Sequence, residues 1–295
     1  MVPHRPSSIV LGLLLCAAKA LLAAAPEGAT GLPGAWKPLA PGVEWAAAAS
    51  LGGNPEWDAR VVLFDPRKAH LSVQFDPTRP KLPQWRSRFP EAIAIANGSF
   101  YSTDGPRGEV RPTCDLVLAG KLVRGAGCRR QDALFFGVQP APRAEAAAPA
   151  GSAGSAACPI PAGDGGHRLL SPQEFRAADW TEAFKSFPAL VHCGAPACAG
   201  PHYCRERSRS AALAQLRDGR LVLFASQWPA IRHEVGRFFA EKLGASEAVN
   251  LDGGPEATLA LRGEALEDTV GSAGTGLALV LVLLPGVPAA PTAGR

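Results

Sequence analysis

"NLDGGPEATLAL", Asn250 to Leu261, decides how this chain is organised. An apolar run ends in Asn250-Leu251-Asp252, two glycines and a proline follow, and a second acid, Glu256, comes before the next apolar run. Asp-Gly is a common turn dipeptide, so a hairpin alone accounts for the glycines. The residues upstream say more. In "HEVGRFFAEKLG", Val235, Phe238, Phe239 and Leu243 fall at helical spacing and Gly244 supplies the stop. A strand then leads to Asp252. That places the carboxylate at a strand's carboxyl end, where sheets flanked by helices gather their ligands.

The same pattern occurs upstream. In "EAIAIANGSFYSTDGPRGEV" an Ile/Ala run reads as a buried strand ending at Asn97, and Gly98 and Ser99 open a loop. "RSRSAALAQLRDGRLVLFAS" gives two β-rich runs joined by Asp218-Gly219, the strongest short hairpin signal in the chain. "ARVVLFDPRKAHLSVQFDP" reads as a further hairpin about a polar turn, and "GLALVLVLLP" as a buried strand too short to span a bilayer. Ser171, Pro172 and Glu174 in "SPQEF" form a capping box, which predicts a helix start. These elements predict an α+β fold: a mixed, largely antiparallel sheet with covering helices, in a single domain over 35–285. Residues 139–166 carry almost no large apolar side chain and read as a low-complexity surface insertion, and 286–295 as a flexible tail.

With 295 residues and a formal charge of +4, the chain has no basic stripe of the kind that nucleic acid requires. Residues 1–25 have the layout of a secretory signal: His4 and Arg5, the apolar "IVLGLLLCAA", then small residues. Secretion or a periplasmic location is expected, with no stable membrane span. Beyond Cys16 six cysteines remain, Cys114, Cys128, Cys158, Cys193, Cys198 and Cys204, an even set that favours disulfides in an exported chain. "CDLVLAGKLVRGAGC" folds as a hairpin whose ends meet, pairing Cys114 with Cys128. "HCGAPACAGPHYC" brings His192, Cys193, Cys198, His202 and Cys204 close together, but its spacing matches no common zinc pattern. Neither a metal nor a cofactor is expected.

Three pieces in order resemble the phosphodiester glycosidase family: "IANGSFY" its Asn-Gly-Gly-Phe-Phe loop, "RSRSAALAQLRDGRLVLF" its Arg-Thr strand and hairpin, and "FFAEKLGASEAVNLDGG" its helix leading to Asn-Leu-Asp-Gly-Gly. The likeness spans roughly residues 35 to 285. Ser99 stands where a second glycine is usual, Tyr101 adds a hydroxyl, and Pro255, Glu256 and Ala257 intervene before Thr258. The resemblance implies hydrolysis of a sugar 1-phosphodiester, or a related glycosidic bond, to free sugar and phosphomonoester. A carboxylate stabilises the cationic sugar of such a transition state, and Arg is suited to the phosphate because its fork matches the phosphate oxygens.

Asp252, held by Gly253 and Gly254 where the backbone can approach the substrate closely, is the expected sugar-side carboxylate, with a plain turn as the competing reading. Arg209 matches the Arg-Thr position and is the expected phosphate partner. Glu256 is either a second acid/base or a solvated charge. Asn97, Gly98, Ser99 and Asn250 are expected to line the substrate side, the two asparagines equally able to cap strand ends. Asn97-Gly98-Ser99 is also a formal glycosylation sequon, discounted because it lies in the proposed site loop. His167, His192, His202 and His233 have no triad-like companions in sequence. The alternative to an enzyme is a non-catalytic envelope protein that binds a glycan or phosphate-containing polymer in the same cleft.

Overall fold

A computed structural model describes residues 35–103, 108–128, 130–139 and 166–286. The expected leader, Cys158, nearly all of the insertion and the tail beyond 286 lie outside them. The insertion's two ends meet: Gln139 N–H donates to the Gly166 carbonyl at 2.7 Å, continuing the antiparallel pairing of Leu134–Val138 with His167–Leu170.

Three sheets carry the fold. The largest runs in the order Lys37–Ala40, Val43–Ala47, Ala59–Phe64, Leu221–Ser226, Ala211–Leu216, Ala245–Asn250, Ala189–His192, Ala195–Pro196. The second runs Leu266–Gly271, Thr258–Gly263, Ala94–Asn97, Leu279–Pro285, Ala69–Phe75. The third contains His167–Leu170, Leu134–Val138, Glu182–Ser186, Leu116–Leu118 and Lys121–Val123. Every pairing within these three sheets is antiparallel.

Side-chain alternation explains how the sheets stack. Val62, Phe64, Leu213 and Leu223 of the first sheet meet Leu71, Val73, Ala96 and Leu281 of the second and Phe136 and Phe184 of the third in one core. The other face of the first sheet, Val61, Leu63, Ala212 and Phe224, is covered by Val235, Phe238, Phe239 and Leu243. The outer face of the second, Ile95, Val280 and Val282, is covered by Leu82 and Trp85. Because both faces of the central strands are apolar and buried, their sequences read as continuous hydrophobic runs, not as alternation.

The antiparallel sheet, the 211–226 hairpin, the Cys114–Cys128 hairpin with its disulfide and the buried Leu279–Pro285 strand follow the sequence reading. Three expectations are corrected. The runs at Ala59–Phe64 and Ala69–Phe75 are both strands but not a hairpin: the first pairs with Val43–Ala47 and Leu221–Ser226, the second with Leu279–Pro285. Each run offers two apolar edges and finds more burial in a different sheet, so the intervening turn, in which Asp65 accepts from Arg67 N–H at 3.0 Å, becomes a corner between sheets. At Ser171 the capping contacts form, with Ser171 Oγ donating to Glu174 at 2.7 Å, but only one turn results. Phe175 leaves it to stack on Phe135, with ring centroids 3.9 Å apart, and that burial outweighs helix continuation. The helical cover is also sparser than expected: the described α-helices, Leu82–Arg88, His202–Arg205 and Arg232–Arg237, are all short, the last extended by a wide turn over Phe238–Lys242.

Candidate functional site

The strands Ala94–Asn97 and Ala245–Asn250 belong to different sheets, and their carboxyl ends are tied together. Asp252 N–H donates to the Gly98 carbonyl at 2.9 Å, Asn97 Nδ2 donates to the Asp252 carbonyl at 2.7 Å, and Asn97 Oδ1 accepts from Thr258 N–H at 2.9 Å. Gly98 is required by close approach, since a Cβ there would lie 1.6 Å from Leu279 Cδ2. Gly254 has φ +62°, a left-handed conformation that glycine adopts without strain. The loop is closed on its far side by Arg209, whose carbonyl accepts from Gly254 N–H and whose Nε donates to the Gly254 carbonyl, both at 2.9 Å.

This frame holds an acidic pair. Asp252 Oδ1 accepts from Gly253 N–H at 2.9 Å, and Glu256 accepts from the Tyr101 hydroxyl at 3.3 Å, a proton that also faces the Gly276 carbonyl at 3.1 Å. Burial, and secondly the charge of Glu256, push the Asp252 carboxyl up to about 7; the Gly253 N–H and the positive charges of Arg232 and Arg79 pull the other way. Burial likewise pushes the Tyr101 phenol up to about 12, with Glu256 adding to the effect. Two arginines stand around the pair. Arg79, at φ +55°, lays its guanidinium 5.0 Å from the centre of the Tyr101 ring and has a buried Nε with no hydrogen-bond partner. Arg232 donates from Nη1 to the Tyr203 carbonyl at 2.7 Å and from Nη2 to Ser208 Oγ at 3.2 Å.

The predicted site residues thus fall into two groups. Asp252, Gly253, Gly254 and Glu256 lie on one loop, to which the Arg209 side chain and the Gly98 carbonyl are hydrogen-bonded. Asn97, Ser99 and Asn250 are buried with their side chains committed to backbone: Ser99 Oγ donates to the Lys185 carbonyl at 2.7 Å, and Asn250 Nδ2 donates to the Leu251 carbonyl at 2.5 Å. These three shape the wall behind the acids. Tyr101 was singled out in sequence only as a departure, and Arg79, Ser208 and Arg232 not at all. Arg79 and Arg232 sit in short polar segments with no motif around them, whereas Ser208 lies beside Arg209 in the Arg-Thr-like piece.

In "HCGAPACAGPHYC", Cys198 pairs with Cys204 and Cys193 is itself disulfide-bonded, so none of its cysteines offers a thiolate to a metal. A cavity of about 540 Å³ lined by Asp132, His192, Tyr203 and the Cys198–Cys204 bridge includes no residue of the Asp252 loop. The acidic pair lies outside this cavity, and a carboxyl pushed up by burial and a neighbouring charge marks it as the candidate site.

Solved structures share this architecture. The catalytic domain of zebrafish N-acetylglucosamine-1-phosphodiester alpha-N-acetylglucosaminidase, auto-inhibited by its pro-peptide, matches with TM-score 0.52 at 15% identity over 77% of each chain. A protein from Synechocystis matches with TM-score 0.52 at 17% identity, over 85% of this chain and 64% of its own. A protein described as exported, from Burkholderia pseudomallei, matches with TM-score 0.52 at 17% identity over 77% and 74%. A search of curated protein sequences finds no match. The family model for phosphodiester glycosidase matches residues 90–282, a span that runs from the strand entering Asn97 to the central Leu279–Pro285 strand and includes the whole Asp252 loop. The chain belongs to the phosphodiester glycosidase family.

Proposed function

We propose that this protein is an exported hydrolase that cleaves a sugar 1-phosphodiester at the anomeric carbon, releasing free sugar and a phosphomonoester. The observation that carries the reading is the half-buried Asp252 carboxyl beside Glu256, fixed at the junction of two sheets with guanidinium groups on its flanks. As the bond from the anomeric carbon to the phosphate oxygen lengthens, positive charge grows on the sugar ring. Ionised Asp252 stabilises it from a site where burial weakens screening by water. The phosphate departs with the bonding electron pair and is neutralised by arginine. Glu256, held by Tyr101, directs the attacking water. The disulfides and the expected leader support export. No described helix is long and apolar enough to cross a membrane.

The first test is release of reducing sugar and phosphomonoester from a panel of sugar 1-phosphodiesters. Binding without turnover throughout the panel would favour the non-catalytic alternative. The second test is pH. Because Asp252 acts as an anion, kcat/KM rises with pH through an apparent value near 7. Glu256 raises that value, so Glu256→Gln removes a negative neighbour and moves the rising limb to lower pH. A limb that falls through 7 would make Asp252 the proton donor. A limb unmoved by Glu256→Gln would assign it to another group.

A further inference from the structure

The phosphate side of the reaction needs a cation, and the two arginines closest to the glycine loop are bound in different ways. Both main contacts of Arg209, Nε to the Gly254 carbonyl and carbonyl to Gly254 N–H, fasten the loop. Arg232 instead turns Nη2 towards Gly253. A Cβ placed on Gly253 would lie 2.9 Å from the Arg209 carbonyl oxygen, 3.6 Å from Arg232 Nη2 and 3.7 Å from Ser208 Oγ, so two side-chain donors stand beside this glycine on the side away from that carbonyl. Ser208 Oγ already accepts from Arg232 Nη2, which leaves its proton to give away. Arg232 Nη2 keeps a second hydrogen. The guanidinium cannot swing aside, because the Tyr203 carbonyl holds Nη1 and the side chain is only 13% exposed. Its nearest acid, Glu206, stands 3.6 Å from Nη1, on the atom not turned to the loop, and is half in solvent.

We infer that Arg232 and Ser208, across the bare Gly253 backbone, form the anion-recognising side of this site and take the singly charged phosphodiester group of the substrate, while Arg209 holds the loop that carries Asp252. The identity of the sugar half rests on the glycosidase reading above; the anion site does not. Two donors set side by side suit two non-ester oxygens of a phosphodiester. A neutral glycoside presents nothing there that needs a charge.

The test compares two substrates of one sugar, its 1-(phenyl phosphate) diester and its nitrophenyl glycoside, in the wild type and in Arg232→Gln, Arg232→Lys, Ser208→Ala and Arg209→Lys. Thermal unfolding shows which variants fold, and ³¹P NMR line broadening of dimethyl phosphate reads anion binding without turnover. Compared on the alkaline plateau, where Asp252 is ionised with or without the Arg232 charge, Arg232→Gln lowers kcat/KM for the diester by about 100-fold and for the nitrophenyl glycoside by less than about 5-fold, and it abolishes the broadening. Arg232→Lys retains part of the diester activity because the charge remains and the fork is lost. Ser208→Ala, a smaller change, weakens the diester by about 5-fold. Arg209→Lys lowers both substrates alike. Equal losses on both substrates in Arg232→Gln, or dimethyl phosphate broadened as in the wild type, overturn the proposal. Wild type that hydrolyses neither substrate, yet broadens dimethyl phosphate only while Arg232 is present, overturns the glycosidase reading and keeps the anion site.

Discussion

Asp252→Asn lowers kcat/KM for a sugar 1-phosphodiester by about 100-fold or more, the scale of losing a preorganised electrostatic group that acts in the transition state. Asparagine keeps the size and the Oδ1 acceptor for Gly253 N–H, so the loop is retained and the loss reports charge. The same substitution raises stability, in a pH-dependent way. The native carboxyl is pushed up to about 7, above its unfolded value, so the native state binds more protons than the unfolded chain between those values. Wild-type stability therefore falls as pH rises through that window. Asn does not titrate, so the variant's advantage is largest above pH 7, on the order of 1 to 2 kcal/mol after allowing for residual solvent, and fades towards pH 4. Denaturant unfolding at pH 5 and pH 8 checks the sign. If Asp252→Asn keeps wild-type turnover while Asp252→Ala unfolds the chain, Asp-Gly-Gly is only a turn.

The second large effect is on Asn97. Its side chain joins the two sheets directly behind the acids, donating from Nδ2 to the Asp252 carbonyl and accepting at Oδ1 from Thr258 N–H while being 1% exposed. Asn97→Ala leaves a buried donor and a buried acceptor unpaired beside a small cavity, a loss of about 3 kcal/mol. For a chain of this size that lowers Tm by roughly 8 °C. Turnover falls with it, because Asp252 loses the contact that fixes its backbone. Asn97→Asp separates the two roles. It keeps the volume and the acceptor but turns a carboxylate oxygen towards the Asp252 carbonyl, so it is strongly destabilised at neutral pH and recovers on acidification as the carboxyl gains a proton to donate. A variant Asn97→Ala as stable as wild type would show that the junction is held elsewhere.

The strand ends at Asn97 and Asn250 were legible because apolar runs stop abruptly at polar residues followed by glycine, a local signal. The Asp218-Gly219 hairpin and the Cys114–Cys128 hairpin were legible for the same reason. Partnership between distant strands was not. Ala59–Phe64 and Ala69–Phe75 look like neighbours across a turn, and only the packing of three sheets shows that each buries better elsewhere. The "SPQEF" turn shows tertiary stacking of Phe175 overriding a correct local cap. At the site, Asp252, Glu256 and Arg209 could be read from one loop and one strand, whereas Arg79 and Arg232 are isolated cations in "DPTRP" and "PAIRHE". Their meaning comes only from folding, which brings two arginines 153 positions apart in sequence to bear on one carboxyl. Asn97 shows the converse: the residue was visible, and its work is to join sheets.

The central claim is cleavage at the sugar carbon with phosphate as leaving group, and the most direct measurement is hydrolysis of a sugar 1-phosphodiester in ¹⁸O-labelled water. Attack at the anomeric carbon leaves the bridging oxygen with phosphorus, so mass spectrometry of the released phosphomonoester finds no ¹⁸O, and Asp252→Asn suppresses its release. A phosphomonoester carrying one ¹⁸O would place the attack at phosphorus and contradict the assignment of Asp252 to a cationic sugar.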